Sequence, residues 1–309
     1  MTGCGGIESA GPGLIHRIAA APISWGVCEV PGWGHQLPAK RVLAEMAALG
    51  VRATEFGPDG FLPDDPERRS AVLAEHGLTA VGGFVPLVLH RPDHDPLPEV
   101  RSALARSVAA AAGTLVLAAA TGEHGYDDRP ALDPEGWDTL LRNLDLAAAA
   151  AADAGVTAVL HPHVGTMVQA PLEVGRVLDG SGIGLCLDTG HLLVGGGDPV
   201  ELARRAPERV AHVHLKDVDA ATAGEVRDGR VGYADAVAAG MYLPLGRGAV
   251  DVRAVVTALE DHGYRGWYVL EQDTVLRTEP APGAGPVAEV RASLEHLELI
   301  GRERAGRAR

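Results

Sequence analysis

The sequence predicts an α/β chain folded as one (β/α)8 TIM barrel, and three observations carry that prediction. Short apolar runs alternate with longer helix-spaced segments eight times between residues 17 and 302. The apolar runs are continuously hydrophobic, as strands covered on both faces must be. Eight such units in 309 residues also match the size of a single closed barrel. An open doubly wound sheet is the competing layout, but no GxGxxG turn follows the first strand.

The elements follow in order. RIAAAPISW (17–25) reads as the first strand, and PAKRVLAEMAALG (38–50) as a helix, with Pro near its start and Gly at its end. VRATEF (51–56) is the second strand, followed by helix 65–77, and LTAVGGFVPL (78–87) is the third. Helix 98–112 leads to strand 114–120, helix 134–154 to strand 156–163, and a short helix at 171–179 to strand 183–188. Helix 198–205 leads to RVAHVHLK (209–216), helix 251–262 leads to GWYVLEQ (266–272), and a last helix covers 287–301. Residues 1–16 read as a frayed extension, 17–302 as the barrel domain and 303–309 as a tail. The one irregular region, 217–250, follows a strand and includes a short helix at 233–239. Long segments after barrel strands lie over the active-site face and often bind ligands or cover them.

Composition narrows the function. A net charge of −14, from 27 basic and 41 acidic residues, excludes a nucleic-acid partner, which needs basic surface. Three scattered cysteines, Cys4, Cys28 and Cys186, form no CxxC pair, so a disulfide framework is not expected and a cytoplasmic setting is. No uncharged apolar run is long enough to span a membrane, and the N-terminus lacks a signal-peptide layout. A homo-oligomer is compatible with the sequence. Lys40 and Lys216 are the only lysines among many arginines, which marks Lys216 as informative.

Barrel chemistry belongs at the C-terminal ends of the strands. There the sequence places Glu55, then His161 and His163, then Asp188 with His191 beyond, then His214 with Lys216 and Asp217, then Glu271 with Asp273. Histidine and carboxylate donors from four successive strands are the set that binds a divalent transition ion: Mn²⁺ or Co²⁺, with Fe²⁺ and Zn²⁺ also suited. Mg²⁺ and Ca²⁺ prefer oxygen shells. Four buried polar groups with no cation would leave carboxylates desolvated at a cost of several kcal/mol each. Each residue also has a plain reading. His212 reads as a hydrogen-bonded core histidine, Asp188 as a cap, Glu271 as a partner of Arg247, Lys216 as a partner of Asp217 and Glu55 as a strand-end ion pair.

GLCLDTGHLLVGGGDP, HVHLKDV, HPHVGTMVQ and GYRGWYVLEQD resemble the xylose isomerase-like TIM barrels of sugar isomerases and epimerases. APISWG and DAVAAGMYLPLGRGAVD resemble, within them, the inosose dehydratases of myo-inositol catabolism. The resemblance covers about residues 17–300 and implies metal ligands at His161, Asp188, His214 and Glu271. Epimerases of that group usually end strand 5 with glutamate, whereas here VLHPH puts His161 there, leaving open whether His161 or His163 touches the metal. The pair of glutamates that serves both faces of a carbon in epimerisation is thereby broken. An elimination needs one base and one acid, so the resemblance favours dehydration of a cyclic polyhydroxy ketone, 2-keto-myo-inositol, over keto-sugar epimerisation. It casts Glu271 or a nearby His as base, His163, His191 or Lys216 as donor to the departing hydroxyl (with Lys216 alternatively steadying the enolate oxygen), Glu55 as a contact to a substrate hydroxyl and Trp25, with Trp33, as a pocket wall.

Overall fold

Pro22 decides where the first strand stops. Proline has no N–H to give to a ladder, so the strand β1 (Ile18–Ala20) ends before it, and Pro22–Trp25 coil into a 3-10 turn in place of the expected strand to residue 25. The computed structural model describes residues 13–123 and 125–307. Residues 1–12 of the expected extension, with Cys4, and residues 308 and 309 of the expected tail lie outside the described residues.

The strands are β1, β2 (Ala53–Thr54), β3 (Thr79–Ala80), β4 (Gly82–Leu87), β5 (Thr114–Ala119), β6 (Thr157–Leu160), β7 (Gly184–Asp188), β8 (Val210–Leu215), the short β9 (Asp217–Val218) and β10 (Tyr242–Leu243), and β11 (Tyr268–Leu270). The helices are α1 (Ala39–Ala48), α2 (Pro66–Glu75), α3 (Leu97–Ala109), α4 (Pro134–Asp153), α5 (Pro171–Gly180), α6 (Thr189–Val194), α7 (Pro199–Arg205), α8 (Ala220–Arg227), α9 (Tyr233–Ala238), α10 (Val252–Asp261) and α11 (Pro286–Arg307). The main sheet runs β3-β2-β1-β11-β8-β7-β6-β5-β4, parallel at every pairing. Its two ends, β3 and β4, are one stave interrupted only at Val81, whose N–H donates to Thr54 and whose carbonyl accepts from Thr114. The sheet therefore closes on itself as eight staves, the TIM barrel that the sequence predicts.

Aspartate followed by proline starts three of the outer helices. Asp65, Asp133 and Asp198 accept backbone N–H groups of α2, α4 and α7, and Pro66, Pro134 and Pro199 fill the first helical turn. Each helix turns an apolar stripe inward. Val42, Leu43 and Met46 of α1 and Leu140, Leu144 and Ala147 of α4 are fully buried. Each large aliphatic side chain so buried contributes about 1.5–3 kcal/mol. Leu14 is also buried, inside a 3-10 turn at Leu14–Arg17, so the described end of the expected extension packs on the barrel. Helix α11 runs to Arg307, past the predicted end at 301 and through the start of the expected tail. No helix among the described residues is long and apolar enough to cross a membrane.

Candidate metal centre and adjoining cavity

Alternation along β8 sets the site. His212, His214 and Lys216 are two residues apart, so they share the inward face, and all three are buried. Asp188 ends β7 and caps α6, its Oδ1 accepting the His191 N–H at 2.8 Å. Glu271 follows β11, its own N–H held by the Leu215 carbonyl at 3.2 Å. His161 follows β6, its N–H donating to Leu117 at 2.7 Å. Glu55 follows β2, its N–H donating to Ala20 at 3.3 Å.

Asp188, His214 and Glu271 each bring a donor atom within 4.8 Å of the other two. His161 forms overlapping triads with Asp188 and His191 and with Cys186 and His214. Its Nε2 lies 3.2 Å from Asp188 Oδ2, and the His214 Nδ1 lies 3.6 Å from the same oxygen. The structure thus brings the four predicted ligands to one rim around Asp188. His163 points elsewhere: its Nδ1 lies 2.7 Å from the Val164 carbonyl, and its ring lies tilted against that of His191, centroids 3.7 Å apart.

Glu55 orients the central imidazole. Its Oε1 accepts from His212 Nε2 at 2.9 Å and from His214 Nε2 at 3.0 Å. With Nε2 donating, the neutral His214 ring keeps its lone pair on Nδ1, toward Asp188 and Glu271. The Nδ1 of His214 and the Oε2 of Glu271 are buried 2.9 Å apart, yet neither makes an aligned hydrogen bond. Two facing acceptors at that distance repel unless a proton or a cation lies between them. Burial pushes the His214 ring toward neutrality, but Cys186, Glu271 and Glu55 outweigh it and raise its pKa well above the usual histidine value. A field that protonates the ring also attracts a divalent cation. The His161 Nδ1 is likewise buried without a partner. Two imidazoles with two carboxylates fit a transition metal, so the residues present fit the ion that the sequence implies.

Burial works to raise the carboxyl pKa values here, and cationic neighbours overcome it. Lys216 and His191 hold Asp188 well below the usual carboxylate range, and His214 and Lys216 bring Glu271 down to about 2. Lys216 Nζ donates to His191 Nε2 at 2.9 Å and forms ion pairs with Asp273 Oδ1 at 2.8 Å, Glu271 Oε2 at 3.0 Å and Asp188 Oδ2 at 3.4 Å. Its plain reading as a partner of Asp217 does not hold, because Asp217 is buried and accepts backbone N–H groups of Gly246, Gly248 and Val250. Glu271 pairs with Lys216 and His214 and not with Arg247, whereas His212 is the hydrogen-bonded core histidine expected.

Beside the cluster opens a cavity of about 480 Å³. Glu55, His161, His163, Lys216, Glu271 and Asp273 are the polar lining residues next to the cluster. Trp33, Phe84 and Tyr126 are among its apolar walls. Two expectations change. Trp25 is fully buried, with Nε1 bound to Glu45 at 2.9 Å, and does not reach the cavity; Trp33 is the wall. His191 is buried behind Lys216 and does not line the cavity, so its link to a bound molecule runs through the lysine. Tyr126, Tyr233 and Tyr242 were not singled out from the sequence; they sit in loops and short elements where no periodicity marks them. Strand ends announce themselves, but a lone tyrosine in a long excursion does not.

A family model described as "Xylose isomerase-like TIM barrel" matches residues 43–299. The chain belongs to this family. This xylose isomerase-like barrel is 34% identical over 272 residues to "Rhizopine catabolism protein MocC" of Rhizobium meliloti, with 83% of this chain and 81% of that protein covered. It is 32% identical over 297 residues to "Inosose dehydratase" of Geobacillus kaustophilus (strain HTA426), with 92% and 94% covered. Among solved structures it resembles an L-ribulose 3-epimerase with a TM-score of 0.68 at 18% identity, covering 94% of this chain and 97% of that one. It also resembles an IOLI protein with a bound zinc atom, with a TM-score of 0.67 at 12% identity, covering 93% and 98%. These structural likenesses show the fold.

Proposed function

We propose that this chain is a metal-dependent dehydratase that removes water from a cyclic polyhydroxy ketone, 2-keto-myo-inositol. The observation that carries the reading is the cluster Asp188–His214–Glu271 with His161 beside it, set against a cavity with both a proton acceptor and a proton donor in its wall. The similarity to inosose dehydratases supports the substrate. A divalent cation held by His161, Asp188, His214 and Glu271 would supply Lewis-acid stabilisation of the enolate oxygen.

The protein's own groups divide the remaining work. Glu271, held ionised, takes the proton from the carbon next to the ketone. The C–H electron pair forms the enolate double bond; as the ketone re-forms, that pair shifts to the next carbon, whose C–O bond breaks so that the hydroxyl leaves as water with a proton from Lys216, and the resulting enol tautomerises to the dione. His163 was a candidate for that donor, but its geometry makes it an acceptor. The Val164 carbonyl can only accept, so Nδ1 carries the proton, and burial beside His161 brings the ring pKa down to about 3. A neutral His163 then offers Nε2 as an acceptor for a substrate hydroxyl. Glu55, on the cavity wall, acts first on the two imidazoles it bridges.

The test is to incubate the Mn²⁺- or Co²⁺-loaded protein with the ketone and measure mass and ultraviolet absorbance. Loss of one water with growth of a dione absorbance is expected. Conserved mass with an inverted carbon would replace this reading by keto-sugar epimerisation. His214→Ala should lose bound metal and turnover together; full turnover with no metal bound would refute the scheme.

A further inference from the structure

The chain leaves the rim after β9 and returns through β10, and this excursion carries two tyrosines to Asp273 and Lys216. Tyr233 opens α9 and is buried. Its hydroxyl donates to Asp273 Oδ2 at 2.7 Å and lies 3.0 Å from the Tyr242 hydroxyl. Tyr242 presents its ring to Lys216 Nζ, 5.3 Å from the centroid. The other oxygen of Asp273 forms an ion pair with Lys216 Nζ at 2.8 Å.

The carboxylates around Lys216 are not equivalent. Asp188 Oδ2 and Glu271 Oε2 belong to the candidate metal cluster, and an oxygen committed to a cation gives less to an ammonium. Asp273 belongs to no such cluster among the described residues, and both its oxygens are engaged, one by Lys216 and one by Tyr233. The packing around this chain of contacts leaves no slack. A Cβ on Gly190 would stand 2.6 Å from Lys216 Cβ and 2.9 Å from Tyr242 Cε1, so glycine in DTGH lets the lysine stem and the tyrosine ring close on α6. The returning leg is tied by three N–H groups to Asp217, the residue next to Lys216.

We infer that Tyr233 is a positioning residue for Lys216, acting through Asp273. The excursion completes the site by holding the ammonium at the cavity wall once the metal-binding carboxylates are engaged. The inference rests on the metal-site reading given above.

Lys40 and Lys216 are the only lysines, so full-length protein labelled with ¹⁵N-lysine and loaded with Zn²⁺ shows two ammonium resonances, and Lys40→Arg assigns the Lys216 signal. Tyr233→Phe keeps the ring and removes the donor. Hydrogen exchange at the Lys216 ammonium is expected to accelerate about tenfold, with a shifted resonance and unchanged Zn²⁺ affinity. Asp273→Asn is expected to have a larger effect. With the cyclic ketone, kcat of Tyr233→Phe should fall about tenfold while KM stays within about twofold. An unchanged Lys216 signal in both variants overturns the inference, as does a loss of Zn²⁺ affinity that accounts for the whole change in Tyr233→Phe. If the wild-type protein does not dehydrate the ketone, the ammonium signal still decides the positioning role, which separates the two readings.

Discussion

Glu55 shows how one buried carboxylate can set the state of a neighbouring ring. Burial alone would raise its pKa, but His214 and His212 pull it well below the ordinary carboxylate value. The anion fixes a proton on each Nε2 and so leaves the His214 Nδ1 free to bind a cation. Glu55→Gln keeps the volume and removes the charge. Calorimetric titration should show Mn²⁺ or Zn²⁺ binding weakened about 10–100-fold, the usual effect of losing a partner that orients a ligand histidine. Unchanged affinity would mean that the orientation of His214 comes from packing alone. At the same scale, Trp25 and Trp33 illustrate a limit of sequence reading. Both are tryptophans near the first strand, and only the 3-10 turn caused by Pro22 sends the first into the core and leaves the second facing the cavity.

At the scale of elements, the excursion after β8 depends on Asp217. Three backbone N–H groups from its returning leg converge on that side chain. Asp217→Ala leaves buried donors without an acceptor and should cost at least roughly 2 kcal/mol. A thermal melt should show a Tm lower by several degrees, and protease should cut within residues 219–249 far sooner than in wild type. A wild-type cleavage rate would remove Asp217 from this role. The periodic elements were legible in the sequence because their signals are physical: apolar runs for the staves, and helical spacing between Pro and Gly for α1. The six-residue α6 and the eight-residue α8 were not, because elements this short bury too few side chains to leave a pattern. The polar ends of staves 5 to 8 were legible as a metal-binding set, since histidines and acids are unusual where a buried strand emerges. The contacts of Lys216 were not, because they depend on Asp273 and on tyrosines about 17 and 26 positions further along the chain.

For the whole molecule, a cation held at this cluster would be thermodynamically linked to the barrel. The donors come from β6, β7, β8 and β11, so unfolding disperses them and a cation that binds only the folded state stabilises every stave at once. At a hundredfold excess over its Kd, a divalent transition ion should add about 2.7 kcal/mol. That corresponds to a rise in Tm of roughly 5–10 °C, reversed by a chelator. Mg²⁺ at the same concentration should do much less, given two nitrogen donors. Equal melting with and without Mn²⁺, Co²⁺ and Zn²⁺ would show that the cluster binds none of them.

Asp217 has a consequence beyond stability. It pins the outgoing and incoming ends of the excursion to a single carboxylate, so the spacing between them is independent of what lies in between. The intervening stretch carries Tyr233 and Tyr242 against Asp273 and Lys216, so a change within it reaches the ammonium while the stave carrying His214 keeps its register.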